Sequence, residues 1–382
     1  MKTQKLLALF ILLTAGSATS GWAAIDTWNG TTFNWSTGSN WDSGVEPQAG
    51  DSLEFSGTTA DVTSKNDISA LSFTTITFDS GAAAYSISES TSSDKITVTS
   101  GITDNSANVE TINGAFIVGG NVTLNVSNST GNLTFAQQVS GTKSLTLSGP
   151  GTVTMASGSV AMTYSGGTIV NAGTLMANTT ATAGATGTGS VTIGNTAVLG
   201  GSGVIDPTAS GAQIKINSGG ILAPGTAGNV NTLTINAGVQ TASFLTFSSS
   251  ASLNFNLGAG NTSSLLSLTG TFAGEVAGLS GNTFNFTDLT SGQLSTGLYT
   301  LISTDTTASV FSGLSTGNLS GFTVNGLSGD TAQLQLNLVN GDETLQLDIT
   351  SVAAVPEPGT WALLMGGVAI LLIAQRRRFK PV

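Results

Sequence analysis

Leu145-Thr146-Leu147-Ser148-Gly149 opens a series that continues with Ile169-Val170-Asn171-Ala172-Gly173 and Val191-Thr192-Ile193-Gly194-Asn195. It runs on through Ile214-Lys215-Ile216-Asn217-Ser218-Gly219 and Leu233-Thr234-Ile235-Asn236-Ala237-Gly238. The apolar anchors are Leu147, Val170, Ile193, Ile216 and Ile235, evenly spaced over the first four and slightly closer at the last. A unit this short cannot bury a core alone, so near-constant spacing predicts a solenoid with one coil per repeat. Each coil reads as a strand ended by a turn of small residues, because Gly and Asn tolerate left-handed backbone angles. Stacked coils put parallel strands about 4.8 Å apart, with apolar residues inside and Asn, Ser and Thr ladders outside. The expected fold is all-β, a right-handed parallel β-helix. If the whole middle of the chain coiled this way, about 14 rungs would make a rod roughly 65–70 Å long.

Composition agrees with short strands and tight turns. Of the 382 residues, 50 are Gly, 8% are charged and 39% are hydrophobic, too apolar a mixture for a disordered chain. No long amphipathic helix is legible. The chain has no Cys and no His. Disulfides, thiolate metal sites, imidazole bases and His-containing triads are thereby excluded. Between Ile25 and Val355, four lysines (Lys65, Lys95, Lys143, Lys215) face 20 carboxylates, a net charge of −16. No nucleic-acid partner is expected from such a surface, since phosphate binding needs clustered cations.

The two termini read as addressing segments. Lys2 and Lys5, the apolar run Leu6–Leu13 and the small residues Ala15–Ala18, Ala23 and Ala24 have the three parts of a secretory signal peptide, residues 1–24. At the other end, Val355-Pro356-Glu357-Pro358 precedes an apolar run from Trp361 to Ala374 and a basic cluster of Arg376, Arg377, Arg378 and Lys380. A helix over 361–374 would be about 21 Å long, against a hydrocarbon core of about 30 Å. It is a marginal transmembrane segment, with the arginines holding the C-terminus on the cytoplasmic side. Pro356 and Pro358 prevent the helix from growing outward.

This tripartite tail, residues 353–382, resembles the bacterial PEP-CTERM sorting domain. The resemblance implies an exosortase-type processing enzyme as a partner, contact with the membrane through the tail, and a Gram-negative, exopolysaccharide-making host. Residues 145–240 resemble the autotransporter-associated β-strand repeat, most closely from Leu145 through Gly166-Gly167-Thr168-Ile169-Val170-Asn171-Ala172-Gly173-Thr174-Leu175. No translocating barrel follows, so self-export is not implied.

Between the addressing segments the chain divides into three. Residues 25–115 hold Trp28, Trp35 and Trp41, then Gly50-Asp51-Ser52-Leu53-Glu54-Phe55, an atypical unit of the kind that caps a solenoid. The same three indoles are the candidate glycan-stacking residues. Residues 116–260 are the repeat solenoid. Residues 261–352 alternate apolar and polar, as in Leu334-Gln335-Leu336-Asn337-Leu338, and suggest the last coils or a small closing β-domain.

Candidate chemistry is sparse. Paired carboxylates for glycoside hydrolysis would be Asp51 with Glu54, or Asp342 with Glu343 or Asp348. Asn340-Gly341-Asp342-Glu343 reads as a hairpin turn instead. Gly200-Gly201-Ser202-Gly203-Val204-Ile205-Asp206 is similar to a calcium-binding β-roll nonapeptide, but has one extra residue and occurs once. No catalytic residue, metal site or cofactor is expected. Thr-x-Thr segments such as Thr152-Val153-Thr154 do not recur once per coil, which speaks against an ice-binding array. The expected function is a non-enzymatic, exported surface or extracellular-matrix protein whose partner is envelope or matrix polysaccharide. The alternative is a carbohydrate-binding or polysaccharide-active β-helix using the Trp28–Trp41 region.

Overall fold

The structure is a computed structural model that describes residues 23–352, other than 31, 59–61, 181–183, 241–242, 273–275, 306–309 and 328. The signal segment up to residue 22, the sorting motif, the segment 361–374 and the basic cluster lie outside the described residues.

The chain coils as a parallel β-helix. One sheet follows a path of eleven strands from Ile25–Trp28 to Val276–Ala277, and a second follows eleven from Val62–Asn66 to Thr323–Asn325. The repeat anchors stack as the spacing requires: Leu147 pairs with Val170, Val170 with Ile193 and Ile193 with Ile216. The same interior file extends backward through Leu124, Ile102, Ile76 and Leu53. Every one of these side chains is at most 1% exposed. Alternation puts each neighbouring residue outside, and each such burial is worth about 1.5–3 kcal/mol.

Glycine at the end of the repeat has a steric reason. Gly149 and Gly173 have φ of 81° and 70°, and a Cβ on Gly173 would stand 2.3 Å from the carbonyl oxygen of Gly151 in the coil before it. Side chains other than hydrogen are excluded by both the dihedral and the contact. Outside, amides form the expected ladder at one end: Asn285 Nδ2 donates to Asn254 Oδ1 at 2.8 Å, and Asn325 Nδ2 to Asn285 Oδ1 at 3.0 Å.

Two expectations are corrected. Ile235 is not the fifth anchor; the partner of Ile216 is Phe247, one longer coil further on. The added residues form the strand Thr232–Gln240, which joins Val204–Ile205 and Leu265–Phe272 in a third, seven-stranded sheet. Because later coils are longer, the stack is eleven strands deep rather than about 14. Ten spacings of about 4.8 Å make roughly 48 Å.

Non-coil segments close both sheets at the N-terminal end and the first sheet at the C-terminal end, where an open edge would leave backbone donors unpaired. At the N-terminal end, residues 29–30 and 32–42 fold back with a short 3₁₀ turn at Gly38–Asn40. Asn29 N donates to Asn40 O and Asp42 N to Thr27 O, covering the first sheet; Trp35 N donates to Lys65 O and Lys65 N to Phe33 O, covering the second. At the C-terminal end, Val276 N donates to Val310 O and Ser312 N to Val276 O. There the third sheet turns antiparallel: Gly297–Thr304 pairs with Asp342–Ser351, which pairs with Thr331–Val339. Asn340 and Gly341, with φ of 57° and 98°, make the tight turn of that hairpin.

Candidate functional site

The tryptophan cluster is the leading candidate for ligand contact. Trp28, Trp35 and Trp41 are 3%, 0% and 2% exposed. Trp28 and Trp41 meet edge to face at 5.0 Å between centroids, and Trp35 meets Phe73 in the same way at 5.4 Å. Phe55 sits among them and continues the cluster to Phe78 and Tyr85 at 5.4 and 5.1 Å. The indole donors of Trp41 and Trp35 are used internally: Trp41 Nε1 donates to Trp35 O at 2.8 Å and Trp35 Nε1 to Ser64 Oγ at 3.2 Å. The glycan-stacking reading of these residues is therefore corrected. No indole face is open to a sugar ring, because the rings fill the end of the core where coil residues stop.

The carboxylates candidate for catalysis are held apart. Asp51 is 7% exposed; its Oδ1 accepts from Ala24 N at 2.9 Å and its Oδ2 from Gln48 N at 2.7 Å, tying the chain entry to the first coil. Glu54 lies on the outward side of its strand, where partial burial, then Asp79 and Asp42, raise its pKa. Glu343 is buried, and one carboxylate oxygen accepts from Val310 N at 2.7 Å and Phe311 N at 3.1 Å. It thus pins the segment that closes the first sheet, while Asp342 and Asp348 alternate to the other side of its strand. Asp342 and Asp348 share a side of that strand but lie six residues, about 20 Å, apart, so none of the three pairs presents two free carboxyls to one substrate position.

Asp206 of the glycine-rich stretch is 7% exposed, and burial raises its pKa. Among the described residues no group of three His, Cys, Asp or Glu side chains is placed to hold a metal ion. Two shallow grooves of about 400 and 500 Å³ lie along the coils. One is lined by Ser165–Ile169 and Ala209–Ala212, the other by Gly228–Val230 and Leu289–Thr290. Neither is lined by an ionisable side chain.

Sequence reasoning missed the buried acids. Glu110 is 0% exposed, its Oε2 accepting from Tyr85 N at 2.6 Å and its Oε1 from Ser106 Oγ at 2.7 Å. Burial pushes its carboxyl up to about 7, against the lowering effect of those hydrogen bonds; Asp104 adds to the rise. Asp104 is itself 0% exposed, with Oδ1 accepting from Ser106 N and Oδ2 without a partner, and burial raises its pKa. At the cap, Asp26 is 1% exposed with neither carboxylate oxygen hydrogen-bonded. Burial raises its pKa, Ser43 opposes the rise, and Asp51 and Asp42 add to it. The signal was present for Glu110: in Val109-Glu110-Thr111-Ile112 it takes an inward position of the alternation.

No family model matches the chain, and no curated protein matches it. Among the described residues no helix is long and apolar enough to cross a membrane.

Proposed function

We propose that this protein is an exported, non-enzymatic structural rod of the cell surface or extracellular matrix. On this reading the signal peptide directs export. The Val355–Pro358 motif, the apolar segment 361–374 and the Arg376–Lys380 cluster form a PEP-CTERM-type sorting tail for an exosortase-type enzyme. The observation that carries the proposal is the tripartite tail of residues 353–382; in support, the buried acids Asp51, Glu110 and Glu343 each direct their carboxyl oxygens to backbone or hydroxyl donors. The coil is taken as right-handed, the hand of nearly all parallel strand crossovers. Matrix polysaccharide is the proposed partner, held through many weak contacts along the rod rather than in one pocket.

Intact mass spectrometry of the protein recovered from its host's surface or medium tests this directly. Loss of the signal peptide and of everything beyond the Pro356–Pro358 region is the expected result. A chain that still carries Arg376–Arg378 would replace the sorting reading with permanent anchorage.

A further inference from the structure

The outer face of the second sheet is free of charge over nine successive coils. Register pairs Val109 with Asn132 and continues, one residue per coil, through Thr174 and Ile221 to Thr323. Beside it a second outward file begins at Thr111 and ends at Asn325. Threonines, asparagines, one serine and uncharged apolar residues occupy all of these positions, in a region that carries a net charge of −16. Lys65 stands on the same face two coils before the strip, and the first sheet's outer face is interrupted by Glu54 and Lys215.

We propose that this face is a lateral self-association surface, and that its occupant is the same face of a second copy. Two copies of a strongly acidic rod repel each other wherever carboxylates meet. A charge-free strip is the side on which they can approach without burying an unpaired charge. Nine coils at about 4.8 Å and four residues of strand at about 3.3 Å give a footprint of roughly 570 Å² per copy. The pair would cover roughly 1,100 Å², just above the ~1,000 Å² expected of a specific interface and below the ~1,600 Å² standard. The contact is accordingly weak for one pair and effective where many copies stand side by side. A two-fold contact brings the middle of the strip, near Val198, against itself.

The test is sedimentation of the exported protein over a range of concentration and salt. The wild type is expected to pass from monomer to dimer mass as concentration rises, and to do so at lower concentration in high salt, where repulsion is screened. Thr134→Lys, Thr174→Lys and Thr283→Lys together should keep it monomeric with an unchanged melting temperature. Thr123→Lys, Thr146→Lys and Thr192→Lys, on the first sheet, should leave the dimer intact. In this cysteine-free chain, Val198→Cys should be captured as a dimer by a short bifunctional maleimide, and Thr146→Cys should not. A wild type that stays monomeric, association that salt weakens, equal loss in both lysine variants, or capture of monomers by a neutral polysaccharide through this face would overturn the proposal.

Discussion

Replacing Glu110 by Gln isolates one buried proton. In the folded chain the carboxyl is held up to about 7 by burial, against an ordinary value of 4.5. Between those two pH values the folded protein keeps a proton that the unfolded chain has released. The contribution of Glu110 to stability is therefore full below pH 4.5, falls as the pH rises to 7 and flattens above it. A difference of about 2.5 pH units at 1.36 kcal/mol each makes the loss about 3 kcal/mol. Glutamine fills the same space and can accept from Tyr85 N while its amide meets Ser106 Oγ. Chemical denaturation of wild type and E110Q from pH 4 to pH 8 measures the effect. The two should have similar stability at pH 4, and E110Q should be the more stable by about 3 kcal/mol at pH 8. Taking the difference between the two curves removes the other shifted acids, Asp104 and Asp26 among them. Parallel curves, or an E110Q protein weaker at every pH, would refute the burial argument.

Trp35→Ala empties the centre of the cap and should cost about 3–5 kcal/mol, read as a fall in melting temperature in thermal unfolding. Gly173→Ala meets both a positive φ and a carbonyl at 2.3 Å, so it should destabilise by more than the ~1–2 kcal/mol of the dihedral alone; the same unfolding assay checks it. Glu343→Ala removes the acceptor of two buried backbone amides, and leaving a buried donor unsatisfied costs about 1–3 kcal/mol. Hydrogen exchange should show the amides of Val310 and Phe311 losing protection in that variant before the interior coils do.

The central coils were legible because one rule governs them. Identical steps along the chain can stack only in one register, and Leu147, Val170, Ile193 and Ile216 do so. The rule fails at Ile235, whose local pattern is the same as theirs. What distinguishes it is membership of a third sheet, fixed by contacts with Ile205 and Leu268 that no local pattern encodes. The cap was half legible. Three tryptophans marked an atypical unit, but whether an indole faces core or solvent depends on the return of residues 29–30 and 32–42 over both sheets. The acids were least legible, since an acidic residue in a polar chain reads as surface. Only their places in the alternation reveal Glu110 and Asp26, the latter on the inward side of its strand with Trp28. The charge-free strip is invisible in one dimension, because its members lie a full coil apart in the chain and meet only through the register.

Labelling of intact host cells tests surface display most directly. The chain has no cysteine, so Thr123→Cys, on an exposed outer position of the rod, offers a single thiol. A membrane-impermeant maleimide should label it on whole cells, or in the medium, as fully as after lysis. Labelling seen only after the cells are broken would contradict the account of an exported surface rod.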